Sequence, residues 1–349
     1  MKQLFLVVLV LVLGLTETKI FAQAPVYKNL VLEGGGVRGI AYGGALAELE
    51  KRGILSGIER VGGTSAGAIQ AAFLAVGYSP QEITDITFAT PVQKFTDGRL
   101  FFIGGFPRLV NQFGWYRGEK FRKWLAHHIE QKTGDPDFTF AQLHALAGKN
   151  NVRDLYVLGT NLSQQKPVIF SYQTYPNMKI SDAVRVSMSI PLFFRAVFLD
   201  QEGNLVKKPG NRTDVDVMVD GGILANYPID LFDKADFIST VTDENYFNHA
   251  SLGIRLDTDD QIKYDQEQAG LAPVQIKNFG NYLHAFYAIV LEQLNRQQLQ
   301  PDDWNRTISV STKGYGARVR RLTEKDKSTL LDSGRQGAQA FFDRQARQH

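Results

Sequence analysis

Asn29-Leu30-Val31-Leu32-Glu33-Gly34-Gly35-Gly36-Val37-Arg38-Gly39 carries the reading that decides the fold. Four apolar or strand-compatible residues, then Glu33, give way abruptly to three glycines, and a run of small residues extends from Gly39 to Arg52. This is the pattern of a short buried strand turning directly into a helix, the opening unit of an α/β protein. Consecutive glycines leave their N–H groups free and let an anionic oxygen come close to the backbone. Two chemistries use such a loop, a phosphate cradle and an oxyanion hole. Gly34, Gly36 and Gly39 satisfy the dinucleotide spacing G-x-G-x-x-G, which also calls for a carboxylate about 20 residues on, after the second strand. Glu59 lies at that distance but precedes the strand beginning at Arg60-Val61, and no P-loop lysine pattern is present. The oxyanion hole fits better.

The second strand runs instead into Gly63-Thr64-Ser65-Ala66-Gly67, with a helix expected from Ala66 to Val76. G-x-S-x-G at a strand-to-helix junction is the context of a nucleophile elbow: the tight turn strains the serine, and Gly63 and Gly67 remove side chains that would clash. Taken singly, the motif is equally a small-residue turn that packs helix on strand. Further on, Asp220-Gly221-Gly222 closes the strand-like Val215–Val219. An acid at a strand end beside two glycines can approach another backbone, although an isolated Asp-Gly is more often a simple turn.

The three blocks in this order resemble the patatin-like phospholipase family, and Ser187-Met188-Ser189-Ile190-Pro191-Leu192-Phe193-Phe194 resembles a fourth family segment in which Ser187 and Ser189 stand where small alanines are usual. The similarity runs from about Val26 to Val241. It implies a three-layer α/β/α fold with a mainly parallel central sheet and a lipid acyl hydrolase of phospholipase A type. In that reading Ser65 is the nucleophile and Asp220 the general base, and the amides of Gly34, Gly35 and Gly36 hold the oxyanion. Arg38, Gly39, Gly63, Gly67, Gly221 and Gly222 support them; Arg38 anchors the loop or attracts phosphate. No cofactor and no metal is called for. An acyl lipid is the expected substrate, and neither nucleic acid nor an obligate protein partner is expected. An esterase or thioesterase acting on shorter acyl groups and a lipid-binding pseudoenzyme are the alternatives. No histidine belongs to the dyad, in keeping with His127, His128, His144, His249, His284 and His349 all lying outside the blocks.

The rest of the chain sets limits on this reading. Of its 349 residues 44% are hydrophobic and 21% charged, with a net charge of +3, an ordinary globular balance without a basic stripe. Lys2, the apolar run Leu4–Leu15 and Ala22-Gln23-Ala24 read as a signal peptide over residues 1–24, so export to a periplasm or the medium is expected. With no cysteine, disulfides, thiol catalysis and N-terminal lipidation on cysteine are excluded. Residues 25–245 form the expected catalytic domain, and 246–349 an extension packed on it. Helices are expected at Ser79–Glu82 onward, Gly118–Gln131, Ser181–Ser187, Val274–Gln297 and Thr323–Ala346. Strands are expected at Asp154–Thr160, Phe237–Val241 and Leu252–Leu256. Lys94–Tyr116, with Phe95, Phe101, Phe102, Phe106, Phe113, Trp115 and Tyr116, reads either as cover for the core or as a lid making peripheral membrane contact. Asp257, Asp259 and Asp260 lack the spacing of a calcium loop and read as a solvated turn.

Overall fold

The structure, a computed structural model, describes residues 26–98, 106–207, 210, 212–238, 246–267, 270–278, 281, 282, 285, 289, 299–316 and 321–348. The expected leader lies outside the described residues, as do Phe101 and Phe102. Strands β1 (Asn29–Leu32), β2 (Arg60–Thr64), β3 (Gly114–Tyr116), β4 (Asp154–Asn161), β5 (Lys166–Phe170), β6 (Leu192–Phe194), β7 (Val197–Leu199), β8 (Asp216–Asp220), β9 (Ser251–Asp257) and β10 (Thr307–Ser311) succeed one another in chain order. Helices α1 (Ala41–Lys51), α2 (Ala66–Ala75), α3 (Pro80–Ala89), α4 (Phe106–Gln112), α5 (Glu119–Thr133), α6 (Phe140–Leu146), α7 (Ile180–Ser187), α8 (Asp259–Gln266) and α9 (Glu324–Gln348) are interleaved with them.

β10, β9, β1, β2 and β4 lie side by side and run parallel, which makes the central sheet mainly parallel. Strand alternation sends successive side chains to opposite faces. Leu30, Leu32, Leu155 and Val157 enter the larger core with the helices, whereas Val31, Tyr156 and Leu158 meet Ala225, Tyr227, Leu231 and Phe232 on the other face. That second face is covered, among the described residues, by 3-10 turns such as Ile229–Phe232. α9 lies along α1, and the small residues of both explain how closely. A Cβ on Gly44 would sit 1.8 Å from the Leu331 carbonyl oxygen, and one on Gly334 1.9 Å from that of Ala41.

Local signals place the helices. Ser79 caps α3 in a capping box with Glu82, and Gly134 ends α5 in the left-handed conformation. The start of α5 is held by a carboxylate from outside the helix: Asp97 accepts from the amides of Gly118, Glu119 and Lys120 at 2.7, 2.9 and 3.1 Å. Other expectations need correction. Ala235–Phe237 is a 3-10 turn rather than the start of a strand at Phe237, and 239–241 lie outside the described residues. Residues 274–278 are not helical, and most of the remaining Val274–Gln297 segment is outside the described residues. β5 escaped the sequence reading because Pro167 interrupts it; among the described residues the strand pairs only with β4, an edge position where a missing N–H is tolerated. Asp257 is ion-paired to Arg255 at 3.0 Å, and Asp259 and Asp260 occupy the first turn of α8, whose amides favour acids.

Candidate active site

Ser65 sits between β2 and α2 with φ 51° and ψ −116°, a strained conformation for a residue with a side chain. The turn is this tight because Gly63 and Gly67 touch backbone directly. A Cβ on Gly67 would stand 2.2 Å from the Leu32 carbonyl oxygen, and one on Gly63 2.6 Å from the Gly67 carbonyl carbon. Gly39 is close-packed against Ala66 on the adjoining turn. Ser65 is partly exposed, so its hydroxyl is reachable.

Strand register brings Asp220 to it. β4 pairs with β2 through Leu158 and with β8 from Gly159 onward, while β5 occupies the opposite edge over the same stretch. β2 and β8 therefore share one edge of β4 end to end: Thr64 pairs with Leu158, and Asp220 with the next residue, Gly159. Two strands more than 150 positions apart terminate against each other, one delivering a serine and the other an acid. Gly221 lies against the Leu158 carbonyl at this junction. Asp220 is 5% exposed. Its Oδ1 accepts from the Gly222 amide at 2.7 Å, and its carboxyl interacts with the Ser65 hydroxyl. Oδ2 makes no hydrogen bond of good geometry. Burial pushes the Asp220 carboxyl up to about 7, against the opposing pull of the Gly222 amide and the Ser65 hydroxyl.

The glycine loop requires one correction. The Gly34 amide donates to the Asn226 carbonyl at 3.0 Å and is committed there. The amides of Gly35 and Gly36 donate to no carbonyl among the described residues, and Gly36 opens a 3-10 turn with φ 55°. Two amides of the loop, not three, are left without an acceptor among the described residues. Gly34 instead supplies space: a Cβ there would lie 3.4 Å from the Ser65 Cβ and collide with the Asn226 side chain. Arg38 folds back on the loop, its Nε donating to the Gly35 carbonyl at 3.1 Å, so it acts as an anchor.

Several residues that build the site were given no role from sequence. Ser187 Oγ accepts the Ser65 amide at 2.8 Å, and the Ser189 carbonyl accepts the Asp220 amide at 3.0 Å. The segment Ser187–Ser189 thus touches both halves of the pair. Ser189 is itself held by the buried Arg185, which donates to its Oγ. Glu33, 2% exposed, accepts from the Leu256 amide at 2.7 Å and from Asn226 at 3.2 Å, and Tyr42 donates to its carbonyl. The polar departures from the family segment were the available signal for Ser187 and Ser189. Nothing local marks Asn226 or Glu33.

The dinucleotide alternative loses its acidic residue. Glu59 pairs with Lys28 at 2.6 Å at the beginning of β2, the opposite end of that strand from Ser65, half-exposed to solvent. No histidine among the described residues hydrogen-bonds Ser65 or Asp220: His144 pairs with Asp154, and His128 lies against Trp124. A cavity of about 510 Å³ adjoins the elbow, reaching Ala66 and Gly36. The aromatic segment divides: Phe95 is buried, while Phe106 and Phe113 are exposed.

The model of the patatin-like phospholipase family matches residues 30–233. A protein of Acanthamoeba polyphaga mimivirus, R571, is 36% identical over 207 residues, which cover 59% of this chain and 61% of the viral protein. A probable lipid hydrolase of Invertebrate iridescent virus 6 is 29% identical over 231 residues, 62% of this chain and 70% of that protein. The chain therefore spans about three fifths of the mimivirus relative's own length. Among solved structures, VipD from Legionella pneumophila superposes with a TM-score of 0.61 at 17% identity, covering 91% of this chain and 67% of VipD, a likeness of fold.

Proposed function

Since the chain belongs to the patatin-like phospholipase family, we propose that it is a lipid acyl hydrolase working through Ser65 and Asp220. The observation that carries this is the end-to-end meeting of β2 and β8, which sets a buried carboxyl against a strained, accessible serine beside two unused amides.

The chemistry then runs in two halves. Asp220 takes the proton of Ser65 Oγ as that oxygen bonds to the ester carbonyl carbon. The oxygen left negative is held by the Gly35 and Gly36 amides, where one donor is worth about 10²–10³ in rate. Collapse breaks the ester C–O bond, the leaving alcohol takes the proton from Asp220, and the acyl group stays on Ser65. Water then attacks the acyl-serine while Asp220 takes its proton; collapse returns a proton to Ser65 Oγ and releases the carboxylic acid. A free Asp, with a pKa of about 3.9, is a poor base for this; one raised to about 7 by burial is matched to neutral conditions.

Full-length protein incubated with mixed phospholipids should release fatty acids, read by mass spectrometry of the products, and a fluorophosphonate should label Ser65. Ser65→Ala should abolish both while leaving the circular dichroism spectrum unchanged. A labelled serine elsewhere, or lipid turnover surviving Ser65→Ala, would remove the assignment. The size of the cavity beside Ala66 favours long acyl chains over the short-chain esterase alternative, which a chain-length series of nitrophenyl esters decides.

A further inference from the structure

Three successive glycines let an anion approach the backbone, and by the same freedom they leave the direction of their amides unspecified. A peptide group between two glycines turns over at little steric cost, because neither flanking residue carries a Cβ. Such a turn exchanges N–H for C=O and would aim a carbonyl oxygen at the charge the amide is meant to hold. The peptides Gly34–Gly35 and Gly35–Gly36, which carry the two amides without an acceptor, are both of this kind.

Each of these peptides is gripped by its carbonyl. Asn226 Nδ2 donates to the Gly34 carbonyl at 3.3 Å, and Arg38 Nε donates to the Gly35 carbonyl at 3.1 Å. Among the described residues no peptide bond is cis, and in a planar trans peptide N–H and C=O point in opposite directions. Holding the Gly34 carbonyl therefore turns the Gly35 N–H away from Asn226, and holding the Gly35 carbonyl turns the Gly36 N–H away from the Arg38 guanidinium. Asn226 fixes the preceding peptide too, its own carbonyl accepting from the Gly34 amide at 3.0 Å. The orientation of its carboxamide is set by Glu33: Nδ2 also lies 3.2 Å from Glu33 Oε1, and two acceptors on one atom identify it as the nitrogen. Glu33 is buried and held in turn by the Leu256 amide at 2.7 Å.

We propose that Asn226 and Arg38 are positioning residues, each aiming one donor of the oxyanion hole by holding the carbonyl of the same peptide. This rests on the hydrolase reading above, in which the Gly35 and Gly36 amides hold the oxyanion, and adds what directs them. Both side chains act through the peptides rather than on the ester. Asn226 carries the larger share, because the Gly35 carbonyl also accepts from the Arg38 amide at 3.1 Å, a bond that survives loss of the Arg38 side chain.

The test compares the full-length wild type, Asn226→Ala and Arg38→Leu in turnover of 4-nitrophenyl octanoate and in binding of two heptyl ketones. With the trifluoromethyl ketone, Ser65 Oγ bonds to the carbonyl carbon, its proton passes to Asp220, and the carbonyl oxygen becomes an oxyanion. The methyl ketone binds without reacting. Asn226→Ala should lower kcat about 30-fold with KM nearly unchanged, less than the roughly 10²–10³ of a donor removed outright, because the amide is misdirected and not lost. Arg38→Leu should lower kcat by a smaller factor. In both variants the inhibition constant of the trifluoromethyl ketone should rise by the factor by which kcat/KM falls, while that of the methyl ketone stays put. A distorted site would weaken both ketones alike, and that result, or a kcat unchanged in both variants, overturns the proposal. Should Asn226→Ala fail to fold, Arg38→Leu makes the same comparison from the other carbonyl. A wild type that neither cleaves the ester nor prefers the fluorinated ketone removes the hydrolase reading and this proposal with it. Wild-type turnover that both variants match removes the positioning role alone.

Discussion

At Asp220 one physical cause, removal from water, bears both on the base role proposed for it and on stability. Burial lifts the carboxyl to about 7, so the fraction able to accept the serine proton rises through neutral pH. The kcat/KM of the wild-type protein should climb about tenfold per pH unit below that value and level off above it, and the limb should vanish with the activity in Asp220→Asn. Stability has the opposite sign. The unfolded chain gives up this proton near pH 4, the folded chain near 7, so the folded state loses stability as pH rises across that window, by an upper bound of about 4 kcal/mol. Asp220→Asn should therefore be more stable than wild type at pH 8 and close to it at pH 4, measured by urea unfolding at both. An equal difference at the two values would mean that Asp220 is not a raised acid. From sequence the serine and the acid stand out because glycines lie on both sides of Ser65 and directly follow Asp220. That Gly34 gives its amide to Asn226 was not, because a hydrogen bond across 192 positions leaves no mark in either segment.

Among the elements, α1 and α9 show how a local preference and a tertiary demand pull apart. Glycine weakens a helix interior by about 1 kcal/mol relative to alanine, so propensity alone says that Gly334→Ala should stabilise α9. The contact says otherwise, because the new Cβ would fall 1.9 Å from a backbone oxygen of α1, which cannot rotate away. Overpacking of this kind costs about 1–3 kcal/mol and outweighs the propensity gain. Thermal unfolding of Gly334→Ala should show a lower Tm than wild type; a higher one would place the two helices further apart than described. Helices whose ends carry side-chain or glycine signals, such as α3 at Ser79 and α5 at Gly134, were readable from sequence. β5 and β10 were not: Pro167 interrupts the one, and Thr307, Ser309 and Ser311 leave the other only two apolar residues.

For the molecule as a whole, the proposed function requires a lipid to leave a bilayer or micelle and enter at the elbow. Phe106, Val110, Phe113 and Leu192 are each about half-exposed, and β3 and β6 set Gly114, next to Phe113, opposite Leu192. Leu192 in turn stands three residues after Ser189, whose carbonyl holds Asp220. An apolar rim so near the acid suits contact with a lipid surface. Replacing Phe106, Val110 and Phe113 together with Ser should weaken liposome sedimentation about tenfold or more while a soluble nitrophenyl ester is still turned over. Unchanged sedimentation would return these side chains to ordinary surface. The order of strand, glycine loop, elbow and acid belonged to the sequence by itself, because turns and strand ends are specified by the residues within them. Which amides stay free and what holds Ser65 and Asp220 in place were decided only in three dimensions. Those depend on which distant backbone lies alongside, and side-chain chemistry within a segment does not encode its neighbours across the sheet.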